Sequence, residues 1–277
     1  MNKLRFTVHF LLNQLQTQIR TNLLIGPAFI GPALFLLLST VAHSEIRIAI
    51  VDTGFCPEKI KTRSIIKIEK AIDLTESVKL DCHSSRFDKL SPRFHGQLVL
   101  EEFIKSVTDK TISLTVFPLI VFNQRGDQRK EYWEKAIDWI KKNQIDLVVT
   151  AAGFITKERI VNELPGVWFV PSGRISPQIK KGVELFPQNL APMNNLFVIG
   201  DFYDGRSVLY DQALLYQDKI DYYFPSGLRG FKGTSKAVAE AAGRAVSICS
   251  LSSLRACLKK KSKEYLDGLS NRKIQTY

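Results

Sequence analysis

The chain has 277 residues, 45% hydrophobic and 24% charged, with 39 Lys and Arg against 27 Asp and Glu and a formal charge of +12. These proportions exclude a disordered, collagenous or multi-span membrane chain; the length allows one large domain or two small ones, with a core that needs neither metals nor disulfides. The four cysteines, Cys56, Cys82, Cys249 and Cys257, are too few for a disulfide scaffold and contain no CxxC pair of the kind that zinc sites use.

The charge is unevenly divided. Residues 1–44 hold Lys3, Arg5 and Arg20 and no acid, so +3 belongs to them and +9 to the remainder. That excess favours anionic surfaces or acidic partners and says nothing about fold. Leu23 to Ala42 is uncharged and apolar, follows the purely basic segment, and ends in Ala42-His43-Ser44, small residues at the positions a signal peptidase reads. The expectation is an export signal over 1–44, cleaved after Ser44, and a folded part over 45–277 outside the cytoplasm, where disulfides form. A stretch of 20 apolar residues also suffices to cross a bilayer, so an uncleaved anchor over 23–42 is the alternative. Gly26-Pro27 and Gly31-Pro32 count against a permanent helix there.

Beyond Glu45 the pattern alternates. Ile46 to Val51 is short, β-branched and almost wholly apolar, as a strand buried on both faces of a parallel sheet requires. Residues 95–106 place Leu98, Val99, Phe103 and Ile104 at helical spacing. Ile112 to Phe122 reads as a strand, and Glu131 to Asn143 as an amphipathic helix with Trp133, Ala136, Ile137 and Ile140 inward. Ile145 to Thr150, Val167 to Val170 and Leu196 to Ile199 read as strands, and Ser235 to Leu251 as an alanine-rich helix. Strands alternating with helices predict βαβ units and an α/β, doubly wound, mostly parallel sheet flanked by helices, in one domain.

In open parallel sheets, sites assemble at the carboxyl ends of strands. Asp52 stands at such an end, His95-Gly96 opens one helix and Gly233-Thr234-Ser235 another. Acid, base and hydroxyl in the chain order Asp, His, Ser is one of the orders in which hydrolytic triads occur. A serine hydroxyl is a weak nucleophile until an imidazole takes its proton, and a carboxylate holds that imidazole in the right tautomer and stabilises its cation. A serine at a helix N-terminus also directs its backbone N–H and the helix dipole at a developing oxyanion. Taken singly, each piece has a plainer reading: His-Gly as a turn or cap, Gly-Thr-Ser before alanines as a capped helix, and Asp-Thr-Gly as the aspartic-protease motif, which needs a second copy that this chain lacks.

Together the pieces resemble the subtilisin-like serine proteases (subtilases) across nearly all of residues 45–277. IRIAIVDTGF is similar to the family's aspartate block, FHGQLV to its histidine block, KAIDWIKKNQIDLVVTAAG to the unit ending in its substrate-binding segment, and GTSKAVAEAAG to its serine block. NNLFVIGDFYDG and DYYFPSG fit the run of strands before the serine. The resemblance implies a catalytic set of Asp52, His95 and Ser235, with Ala151, Ala152 and Gly153 beside the bound peptide. It implies an exported serine endopeptidase acting on a peptide or protein substrate. No cofactor, metal or nucleic acid is expected from the residues themselves: calcium, which such a domain could take, has no clear motif here, and the short exported part leaves little room for calcium loops. Membrane contact would come only through residues 23–42, if these are retained.

The chain also departs from the family. Arg174, in VWFVPSGRIS, stands where an asparagine donates to the oxyanion, so the oxyanion region comprises Arg174 and the Ser235 N–H. Ala239 replaces a proline, Glu240 a histidine, and Gln97 a threonine. Arg174 favours an alternative: a catalytically impaired pseudoprotease that binds peptides or a protein partner. Other residues take plainer readings. His43 and His83 are surface or processed residues, and Trp133, Trp139 and Trp168 are core or interface. Asp201 and Asp204 belong to a solvated loop rather than a calcium site. The run Lys259 to Lys261 with Lys263, lacking interleaved aromatics, is a solvated helix face. Cys56 with Cys82, and Cys249 with Cys257 on one helix run, are either disulfides formed after export or buried thiols.

Overall fold

Ile46–Asp52 forms the strand β1, and its neighbours explain a run that is apolar from Ile46 to Val51 except at Arg47. Ile48 and Ile50 join one buried cluster and Ala49 and Val51 another, so both faces of the strand are covered. The computed structural model describes residues 45–277 apart from 77–79, 84–87, 159, 176–178, 180–181, 203–213, 228–229 and 267–272. The expected export signal and Asp204 lie outside the described residues. No described helix is long and apolar enough to cross a membrane.

The remaining strands follow in chain order: β2 (Ile66–Ile68), β3 (Ile72–Asp73), β4 (Leu114–Ile120), β5 (Leu147–Thr150), β6 (Phe154–Ile155), β7 (Val167–Pro171), β8 (Leu185–Phe186), β9 (Leu196–Phe202), β10 (Tyr222–Pro225), β11 (Lys263–Leu266) and β12 (Lys273–Thr276). The central sheet runs β10-β9-β7-β5-β1-β4-β2, with β3 also on β4, and its described pairings are parallel. Two small antiparallel pairs, β6 with β8 and β11 with β12, lie off it.

The helices are α1 (His95–Ser106), α2 (Lys130–Lys142), α3 (Thr234–Ile248) and α4 (Leu254–Lys261). Val99, Leu100 and Phe103 of α1 and the alanines of α3 share the first cluster. Trp133, Ala136, Ile137 and Ile140 of α2 share the second. Helices on both faces of a parallel sheet make the fold an α/β doubly wound sandwich. Trp133 and Trp168 are wholly buried, and Trp139 packs on Phe117 with ring centroids 5.3 Å apart.

One expectation is corrected. The alanine-rich helix stops at Ile248, and Cys249, its C-cap, is extended. Cys249 and Cys257 therefore do not share one helix, and they are bonded with Cα atoms 5.9 Å apart. On a continuous helix eight residues would separate them by about 12 Å, beyond disulfide reach. Cys56 and Cys82 are bonded as well.

Candidate active site

From β1 the successive connections lead first towards β4 and β2; from β5 onwards they lead the other way, through β7 and β9 to β10. The crevice beyond the carboxyl ends of β1 and β5 is thus a switch point, where open α/β sheets bind ligands. A cavity of about 560 Å³ lies there. Asp52 and Thr53 line it from the end of β1, Ala151 and Ala152 from the end of β5, His95 from α1 and Ser235 from α3.

Asp52 is wholly buried. Its Oδ1 accepts the Thr53 N–H at 2.7 Å and faces His95 Nδ1 at 2.8 Å, the contact that sets the imidazole's tautomer. Local sequence brings the two together. The Gly54 N–H donates to the carbonyl of Arg93 (2.8 Å), and the Gly96 N–H donates to Thr53 Oγ1 (3.0 Å). Gly96 admits this approach because a Cβ there would lie 2.6 Å from the Phe55 ring and 3.0 Å from the Asp52 Cβ. His-Gly is therefore a packing requirement as well as a helix start.

The His95 side chain keeps 32% of its surface exposed, towards the cavity, with the Phe231 ring edge-on at 5.6 Å between centroids. Burial acts to lower the proton affinity of this imidazole, but the charge of Asp52 and its hydrogen bond outweigh it. The pKa is raised above the ordinary histidine value of 6.5.

Ser235 is the second residue of α3, in the first turn, where backbone N–H groups have no partner within the helix. The preceding loop is anchored by Ser226, a buried residue that was not singled out from sequence. Its N–H and Oγ both donate to the Phe202 carbonyl at 2.8 Å, and its own carbonyl accepts the Gly233 N–H at 2.8 Å. The carboxyl ends of β9 and β10 thus hold the residue two before Ser235. No hydrogen bond joins Ser235 to His95, although both line the cavity.

Arg174 departs from expectation. It does not line the cavity; its Nη2 pairs with Oδ2 of Asp201, and its backbone forms an isolated bridge with Leu214. The reason is electrostatic. The Asp201 side chain, on β9, is wholly buried, and a buried carboxylate without a cation is costly. Asp201 is accordingly an interior ion-pair partner, not part of a solvated loop. Gly153 does not line the cavity either, unlike Ala151 and Ala152. Glu240 is buried between Lys236 and Arg244, each 2.5 Å away, and Gln97 accepts the Cys56 N–H at 2.8 Å through its side-chain oxygen. Cys56, Glu58 and Cys82 come within metal-ligating range of one another, but the two sulfurs are joined.

The arrangement thus presents to one cavity a hydroxyl at a helix N-terminus and an imidazole whose other ring nitrogen is held by a buried carboxylate. No protein-family model matches the chain, and no curated protein is similar to it.

Proposed function

We propose that residues 45–277 act as an exported serine endopeptidase of the subtilisin-like kind. The observation that carries this reading is the Asp52–His95 contact of 2.8 Å opening into the same cavity as Ser235. Ser235 Oγ attacks the peptide carbonyl while His95 Nε2 takes its proton, and Asp52 stabilises the imidazolium. The oxyanion is met by the Ser235 N–H at the start of α3. When the C–N bond breaks, His95 returns the proton to the leaving amine; water, activated by the same imidazole, then releases the acyl group and restores the hydroxyl. Every step runs on the chain's own groups, with no cofactor. The apolar segment after a basic start and the two disulfides support export.

A second reading has its own support. The Arg174 guanidinium is committed to Asp201, so the site lacks that side-chain donor, and loss of one such donor costs on the order of a hundred- to a thousandfold in turnover. A pseudoprotease that binds peptides in the cavity fits this observation.

A fluorophosphonate distinguishes the two. Ser235 is expected to form the adduct, and His95→Ala to abolish it. The labelling rate should rise with pH through a midpoint above 6.5, because the neutral imidazole is the base and Asp52 raises its pKa. An unlabelled Ser235 in folded protein sinks the peptidase and leaves the peptide-binding reading.

A further inference from the structure

Gln188 is polar yet wholly buried, at the start of a 3-10 turn after β8. Its Nε2 donates to the carbonyls of Ala152 (3.3 Å) and Pro171 (3.0 Å). Ala152 lies just beyond the carboxyl end of β5, and Pro171 is the last residue of β7. The amide therefore spans the crevice where these neighbouring strands part. Both N–H groups are used, which fixes its position, while Oε1 has no partner. The packing is tight. A Cβ on Gly153 would lie 3.1 Å from both Nε2 and Oε1 of Gln188 and 3.2 Å from the Leu185 Cβ.

This plug sits next to the candidate site. α3 packs over β5, β7 and β9 and begins at their carboxyl edge, with Ser235 in its first turn. The cavity reaches Ala151 and Ala152 but no residue of 171–173, whereas on its other side it extends to Leu90, Leu98 and Phe122. The β1–β5 crevice is thus open and the β5–β7 crevice closed.

In the reaction proposed above, His95 must face the leaving amine to protonate it. The leaving group then lies on the β1 side, and the side chain next to the attacked carbonyl turns towards β5 and β7. We propose that Gln188 is a specificity-determining residue: by filling the β5–β7 crevice it restricts the residue bearing the attacked carbonyl to a small side chain, glycine, alanine or serine. This rests on the peptidase reading.

The test uses peptidyl aminoalkyl diphenyl phosphonates carrying a methyl or a benzyl side chain next to phosphorus. Labelling forms an Oγ–P bond and breaks a P–O bond, and phenol leaves with the serine proton. The methyl probe should label Ser235 about tenfold or more faster than the benzyl probe, the size of effect that a pocket of fixed volume produces. Gln188→Gly and Gln188→Ser should raise benzyl labelling by about tenfold and collapse the ratio. Equal rates in the unmodified protein, or a ratio unchanged in folded variants, overturn the proposal. The ratio in the unmodified protein decides even if neither variant folds. A simple alkyl fluorophosphonate separates the two claims: if it labels Ser235 while the ratio is flat, only the role of Gln188 falls; if it does not label, the peptidase reading falls and takes this proposal with it.

Discussion

Arg174 and Asp201 show how a single residue is assigned by its partner rather than by its place in the chain. The Asp201 side chain is wholly buried and that of Arg174 is 18% exposed, so the pair is largely out of water. Breaking such a pair costs more than replacing both members, because the surviving charge stays buried. Arg174→Asn should therefore destabilise the protein by about 3–5 kcal/mol through the stranded Asp201. Arg174→Met combined with Asp201→Leu should recover most of that loss. Urea unfolding of the single and double variants measures both, and a single variant within 1 kcal/mol of the parent contradicts the ion-pair account.

Between elements, the approach of α1 to α3 bears on the site, because His95 begins the first helix and Ser235 lies in the first turn of the second. Gly243 makes it possible. A Cβ there would lie 2.5 Å from the carbonyl oxygen of Phe103 and 2.7 Å from the Ser106 Cβ. Two effects compete in Gly243→Ala. Helix propensity favours alanine by about 1 kcal/mol, whereas forcing a methyl against backbone costs about 1–3 kcal/mol. The obstructing atom belongs to a main chain and cannot swing aside, so the second effect prevails. Gly243→Ala should lower the melting temperature. A variant as stable as the parent would mean that the helices separate freely, and that the site geometry is not set by this contact.

For the whole molecule, the sheet and its two covering layers form the core, and the disulfides tie down what the sheet does not. Cys56–Cys82 joins partners 26 residues apart and fastens the chain after β1 beneath α1, where the Cys56 N–H also meets Gln97. Cys249–Cys257 spans only 8 residues, linking the end of α3 to α4. Loop-closure entropy gives about 3.5 kcal/mol for the first and about 2.5 kcal/mol for the second. Replacing both cysteines of the first pair by serine should therefore lower the melting temperature by about 10 °C, and replacing those of the second by less. Calorimetry that returned the opposite order would show that native packing, not loop length, governs the two bridges.

Some of this was legible in the chain itself. An almost wholly apolar run such as Ile46 to Val51, interrupted by Arg47 alone, is what a strand covered on two faces of a parallel sheet requires, and the 3.6-residue pattern of Trp133, Ala136, Ile137 and Ile140 marks the face of α2. Asp52, His95 and Ser235 could be named because each stands at a strand end or a helix start, features written in neighbouring residues. The strands of two or three residues, β2, β3, β6 and β8, are too short to carry a period. The break between α3 and α4 was hidden as well, since Ser250 to Ser253 fit a continuing pattern and only bonding of Cys249 to Cys257 requires the chain to turn. What tertiary structure alone decided were the pairings across long separations: Arg174 with Asp201, Gln188 across the ends of β5 and β7, and Ser226 beneath Gly233. Each is a polar group whose partner is selected by burial, because a group removed from water takes whichever donor or acceptor the fold places beside it. Periodicity along a chain records which side chains leave water, and it carries no record of what they meet there.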